Sequence, residues 1–279
     1  MPMTINTNMA SLNAQRNQAA SQSSLMTSMQ RLSSGMRVNG AKDDAAGLSI
    51  AERMSSQVRG MTVAVRNAND GISLAQTAEG ALGKVTDSLQ RMRELAVQSR
   101  NETNTDDDRD SLDKEYQELA LEITRVLEGT KFNGKTILGT DAGDFKLQVG
   151  AGTEASDSVT VTTKRLDNDT DITAVTGANI SSTTDTAGIA TVITDLDTAI
   201  KSVGTERANM GASQNRLESV IGNLNISIEA QASARGRIMD ADFATETSNL
   251  SRAQILQQAG SAMIAQANQL PSQVLSLLR

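Results

Sequence analysis

The chain contains no cysteine, no histidine and no tryptophan, and only 1% of its 279 residues are aromatic. Without cysteine there is no disulfide and no thiolate chemistry. Without histidine the usual general base near neutral pH and the commonest zinc ligand are missing. With so few rings, a core has to be assembled from Leu, Ile, Val, Met and Ala, which suit thin helix–helix seams better than a thick globular interior. An excess of positive charge is lacking too. Lys and Arg number 26 against 33 Asp and Glu, a net charge of −7, which disfavours nucleic acid and anionic membrane as partners. No run of about 18 apolar residues occurs, so no membrane insertion is expected. The first residues lack the basic–apolar–small pattern of a signal peptide, so an exported chain would use a route that does not read one. No nucleophile–base pair, Gly-rich phosphate loop or metal-ligand spacing stands out, so neither catalysis nor a cofactor is expected.

Heptads fill the space these absences leave. Apolar residues recur at Met54, Val58, Met61, Val65, Ala68, Ile72, Ala75, Ala78, Leu82, Val85, Leu89, Met92 and Ala96. Steps of four and three alternate, as in a helix packed along a seam. The three–three step at Ile72, Ala75 and Ala78 is a stammer, which overwinds a coil without ending it. Asn69-Asp70-Gly71 has turn composition, but the apolar phase runs through it, so one helix over 43–100 is predicted. At about 1.5 Å per residue it would be roughly 80 Å long, which implies a rod with partner helices. Gly60, Gly71, Gly80 and Gly83 are either tolerated surface glycines or points of close backbone approach.

Before this helix, residues 1–42 carry Arg16, Arg31, Arg37 and Lys42 and no acid, with thin apolar lines through Ile5, Met9 and Leu12 and through Leu25, Met29, Leu32 and Met36. After it, Thr105 and Asp108 form a capping-box pattern, with acidic residues at the helix start. Leu112, Tyr116, Leu119, Ile123 and Val126 continue the period to a stop at Gly129. The Asp43-Asp44 and Asp106–Asp108 clusters read as helix starts and turns rather than cation sites. Asn133-Gly134 signals a tight turn, and alternation at Phe145, Leu147 and Val149 and at Val159 and Val161 predicts a hairpin around 150–157. Residues 166–188, rich in Thr, Ser, Asp and Asn, read as a short variable surface loop. A second long helix begins near Ile189, with Arg207 and Gln214 as polar seam residues that fix register. Residues 243–279 form a last, weakly charged helix in which Pro271 should weaken the final turns. Both chain ends are amide-rich and amphipathic. Pairing them buries one stripe and leaves neutral faces for other copies, with ordering of the ends expected on assembly.

Several ordered motifs carry a family resemblance. Arg31-Leu32-Ser33-Ser34-Gly35, Ala41 through Gly47, Asn67 through Ser73, Glu79 through Leu82 and Leu89 through Gln98 resemble bacterial flagellin. So do Ala230 through Ile238, Met239 through Ala244 and Val274 through Arg279. The resemblance covers about the first 150 and last 90 residues, with no room for the large outer domains many members carry.

The resemblance implies a mainly α fold: an elongated rod of heptad-patterned helices with a small β-hairpin region and paired terminal coiled-coil helices. It divides the chain into an inner terminal domain (1–42 and 240–279), an outer helical rod with the hairpin (43–165 and 189–239) and the loop at 166–188. It implies a structural subunit that self-assembles into the flagellar filament for motility, exported by the flagellar type III route. Implied partners are further copies of itself, an export chaperone, the filament cap, the hook–filament junction proteins and a host Toll-like receptor. Receptor recognition and subunit contact are expected at Gln90, Arg91, Glu94, Leu95 and Glu115. Met92 stands where a valine is expected. Leu275, Leu277 and Leu278 are expected in C-terminal recognition, chaperone binding and assembly. A hook–filament junction protein or another secreted coiled-coil protein is the alternative.

Overall fold

In the computed structural model, helix follows helix: α1 (Met9–Ser34), α2 (Ala45–Ser99), α3 (Asp106–Gly129), α4 (Thr170–Thr176), α5 (Thr186–Met239) and α6 (Phe243–Leu277), with four short strands between α3 and α4. The structure describes residues 7–277, and side chains through residue 269. The fold is mainly α, and its strands pair only as two antiparallel hairpins. Two compact units divide the chain: Met1–Ser56 with Ala230–Arg279, and Gln57–Glu229.

In the first unit α1 packs against α6. Asn8 caps α1 by accepting from the Ser11 N–H, and its amide donates to the Ala267 carbonyl at 2.7 Å. Arg31 approaches Glu246 at 4.0 Å. Residue 8 lies beside 267 and residue 31 beside 246, so the pair is antiparallel. The buried residues of the two helices are mostly small, Ser11, Ser28, Ala253 and Ala267, with Glu246 buried as well. Gly35 ends α1 at φ 69°, the left-handed cap that glycine adopts without strain. Beyond it, Arg37 N–H donates to the Met239 carbonyl at 2.6 Å and Ala241 N–H to the Gly35 carbonyl at 2.9 Å. Over the described residues both ends are helical and packed on each other. Helix α6 also continues through Pro271 to Leu277.

In the second unit the heptad seam becomes the core. Met61, Ala68, Ala75, Ala78, Leu82, Val85, Leu89, Met92 and Ala96 are buried along α2, and the helix runs without a break through Asn69-Asp70-Gly71. Helix α3 starts with the complete Thr105–Asp108 capping box and buries Tyr116, Ala120, Ile123 and Leu127. Helix α5 contributes Leu196, Val203, Met210 and Leu217. Strands β1 (Lys131–Phe132) and β2 (Lys135–Thr136) flank Asn133 and Gly134. Both turn residues have positive φ, as a two-residue hairpin turn requires. Strands β3 (Asp144–Gln148) and β4 (Ser158–Thr162) pair with Phe145 opposite Val161 and Leu147 opposite Val159.

The glycine question divides. A Cβ on Gly71 would overlap the Leu147 side chain, and one on Gly60 would sit 2.8 Å from Ala151 Cβ, whereas nothing lies within 4 Å of Gly80 or Gly83. The first two let the β3–β4 hairpin lie directly on α2. Asn67 fastens it there with a 2.9 Å bond to the Gln148 carbonyl.

Residues 166–188 differ from the expected surface loop. They contain α4, and Leu166, Ile172, Val175 and Ile180 are all buried. Large apolar residues are few here, but all four are placed inward. Polar groups tie the segment to its neighbours: Tyr116 O–H donates to the Val175 carbonyl at 2.9 Å, Ile180 N–H to Asp113 at 2.7 Å and Ser99 O–H to the Ile180 carbonyl at 2.6 Å. Low apolar content signals a loop only when the apolar residues present stay exposed.

Candidate recognition and assembly surfaces

The stretch Gln90–Leu95 lies on α2 where it passes α3. Arg91 donates from Nε to Glu115 Oε1 at 2.9 Å and from Nη1 to Glu94 Oε2 at 3.0 Å. One guanidinium therefore joins a carboxylate on its own helix to one on the neighbouring helix, across a solvent-exposed face. Its pKa is raised above the ordinary arginine value, first by the hydrogen bond to Glu115 and next by that to Glu94. Gln90 is exposed beside it. The structure thus brings together four of the five residues singled out in this region.

The fifth is a correction. Leu95 was expected, on the resemblance, to share in recognition and subunit contact with Arg91; it is fully buried within the second unit's core. The helical repeat puts residues i and i+4 on one side, which would have set it beside Arg91. But α2 is flanked by more than one helix. Leu74 and Leu95 lie off the four–three line yet are buried, so the covered face of α2 is wider than a single seam.

One of these neighbours is α5, and its polar contacts had no pattern in the sequence. Arg93 grips Asp197 with Nε–Oδ1 at 2.6 Å, which lowers the Asp197 pKa chiefly through this hydrogen bond. Gln214, expected on the seam, donates to Glu79 at 3.0 Å. Arg207, expected with it, stands 4.0 Å from the same carboxylate. The polar residue inside the seam is instead Glu206, which is buried. It accepts from the Lys164 N–H at 3.0 Å and from Asn209 at 3.2 Å. A charged residue at a seam position reads as solvent-facing until its partner is known.

The first unit has a different surface. Met9, Leu12, Met26 and Met29 on α1 and Ile255, Leu256 and Met263 on α6 are exposed. Charged residues on these two helices are sparse: Arg16 and Arg31 on α1 and Glu246 and Arg252 on α6. Leu275 and Leu277 fall in the last turn of α6, where side chains lie outside the described residues, and Leu278 lies outside them altogether. Among the described residues, no group of three acidic, His or Cys side chains could hold a metal ion, and no helix is long and apolar enough to cross a membrane.

Heptad helices joined by polar rivets, with exposed apolar flanks, define a structural coiled-coil protein. Models of the bacterial flagellin N-terminal and C-terminal helical regions match residues 5–142 and 193–278, and the chain belongs to the bacterial flagellin family. It is similar to a flagellin of Halalkalibacterium halodurans, 44% identical over 277 residues that span 99% of this chain and 100% of that one. It is also similar to a flagellin of Bacillus subtilis, 41% identical over 307 aligned positions with 99% and 100% covered. The fold alone is shared with a solved structure described as a flagellar hook-associated protein of Vibrio parahaemolyticus. There the TM-score is 0.61 at 14% identity, over 71% of this chain and 100% of that one. The protein is therefore a structural subunit of the flagellar filament, polymerising with copies of itself in the extracellular flagellum.

Proposed function

We propose that the α1–α6 pair, with residues 1–42 and 240–279 as its functional limits, is the inner part of the polymer where copies meet. The observation that carries this is the exposed apolar set Met9, Leu12, Met26, Met29, Ile255, Leu256 and Met263 on helices with so few charges. Such a surface is costly to leave in water and costs little to bury against a like surface, because few charges need partners. A face that meets a different patch on the next copy generates an open helical polymer. The rest of the chain, 43–165 and 189–239 with the 166–188 segment laid on it, forms the outer part. Export of the subunit by the flagellar type III route, with a chaperone bound at the α6 end, fits a chain without disulfides. The filament cap and the hook–filament junction proteins would meet the same chain-end surface, since they bound the polymer at its two ends.

The outer recognition surface is Gln90, Arg91, Glu94 and Glu115, read both by a neighbouring copy and by a host Toll-like receptor. Leu95 supports that surface from below by packing. The test is a pair of variants. Leu12→Glu with Ile255→Glu places charge on exposed positions, which leaves monomer stability within about 0.5 kcal/mol while seeded elongation falls at least about tenfold, a loss of about 1.4 kcal/mol in contact free energy. Normal elongation would refute the inner-surface assignment. Arg91→Ala should keep monomer stability within about 1 kcal/mol and weaken binding of the receptor ectodomain. Undiminished binding would remove Arg91 from the recognition surface.

A further inference from the structure

Sulfur in this chain is carried by methionine alone, since cysteine is absent and methionines number 12. The thioethers are sorted by position. Met61, Met92 and Met210, all within the second unit, are buried, with exposures of 7%, 0% and 0%. In the first unit Met9, Met26, Met29 and Met263 are exposed at 65%, 59%, 55% and 63%, and Met36, beyond the end of α1, at 37%. Buried thioethers are shielded from dissolved oxidants and exposed ones are not. Met26 and Met29, three residues apart on α1, share one side of that helix.

We propose that Met9, Met26, Met29 and Met263 are oxidation sites that control whether a subunit can join the filament. The oxidant class is a hydroperoxide. The thioether sulfur attacks one peroxide oxygen, the S–O bond forms as the O–O bond breaks, and the leaving oxygen departs as water or alcohol carrying the proton. Sulfur loses two electrons and the peroxide gains them. Each sulfoxide replaces a soft apolar end with a strongly polar acceptor. On a surface that must be desolvated against another copy, that acceptor gives up its water, which costs free energy unless a donor is aligned to it, and several hydroxyls of α1 are already engaged within the helix. Ser21, Ser24 and Thr27, for example, each donate to a backbone carbonyl four residues earlier. The oxidised subunit is therefore excluded from growth, while subunits already in the filament are shielded. The inference rests on the assignment of this surface as the place where copies meet.

The test treats unpolymerised subunit and finished filament with hydrogen peroxide. It follows oxygen addition at each methionine by peptide mass spectrometry and then measures elongation on filament seeds. In the monomer these four methionines, the most exposed among the described residues, should oxidise at least about tenfold faster than Met61, Met92 and Met210, in line with their exposure, and elongation should fall in step with them. Methionine sulfoxide reductases acting on both epimers should restore it. Elongation at the untreated rate with all four sites oxidised, or failure of the reductases to restore it, would overturn the proposal. Equal oxidation of the four sites in monomer and filament would instead overturn the surface assignment beneath it. A chain with all four changed to leucine supplies a second reading. Whatever its starting rate, its ratio of treated to untreated elongation should stay near one, and a ratio as low as that of the unmodified chain would place the sensitive sites elsewhere.

Discussion

Truncating Leu95 separates a supporting role from a contact role. Its side chain is fully buried in the cluster that also holds Met92, Ala96, Tyr116 and Leu196. Leu95→Ala removes the isopropyl end, a transfer loss of about 2.5 kcal/mol at about 0.8 kcal/mol per buried carbon. The cavity left among well-packed neighbours adds to this, giving a total of about 3–4 kcal/mol, inside the range of about 2–5 seen for such truncations. With a urea slope of about 2 kcal/mol per molar, the unfolding midpoint of the monomer should move down by about 1.5–2 M. Far-ultraviolet circular dichroism during urea titration measures this directly. Leu95→Met keeps the volume and should cost less than about 1.5 kcal/mol. Under conditions where Leu95→Ala remains folded, it should still bind the receptor ectodomain. A variant that unfolds at the unmodified midpoint yet fails to bind the receptor or extend seeds would refute the burial argument and return Leu95 to the outer face.

Other consequences follow from the same packing. Tyr116→Phe leaves the buried Val175 carbonyl without its 2.9 Å donor and should cost about 1–3 kcal/mol, read in the same urea titration. Deleting Thr170–Thr176 removes the buried Ile172 and Val175, worth about 3–6 kcal/mol together. A drop in thermal midpoint is expected, and an unchanged one would show that the segment does not stabilise α3. The carboxylate of Asp110 is held below its usual range, first by the Ser182 backbone N–H and then by the Ser182 hydroxyl. Asp108 is held down by the Thr105 hydroxyl and backbone N–H. Each has a folded pKa below its unfolded value of about 3.9, so its stabilisation is complete above that value and is lost as pH falls through the folded pKa. Thermal midpoints should therefore fall as pH drops below about 4, and Asp110→Asn should flatten that fall. A variant profile as steep as the original would discount the Ser182 contact.

The sequence by itself determined the elements that depend on local chemistry. The four–three spacing from Met61 to Ala96, the Thr105–Asp108 box, the stop at Gly129 and the Asn133-Gly134 turn each rest on residues a few positions apart, whose interactions do not wait for the rest of the chain. The absence of cysteine, the small aromatic content and the weakly charged ends likewise bounded the kind of assembly that was possible. The Gln90–Glu115 region was legible as far as its exposed charges, because arginine and glutamate seldom enter a core unpaired. What the tertiary structure decided was coverage. Whether Leu95 faces water depends on how wide a face of α2 is covered, which is settled by the packing of other elements and not by its own helical repeat. The burial of Ile172, Val175 and Ile180 depends on Tyr116 and Asp113 accepting a polar-looking segment against α3. Glu206 and the Arg93–Asp197 pair acquire meaning only when chain-distant groups are brought within hydrogen-bond reach. A heptad fixes one seam; the number of neighbours a helix has, and so the width of its buried face, is settled by long-range packing.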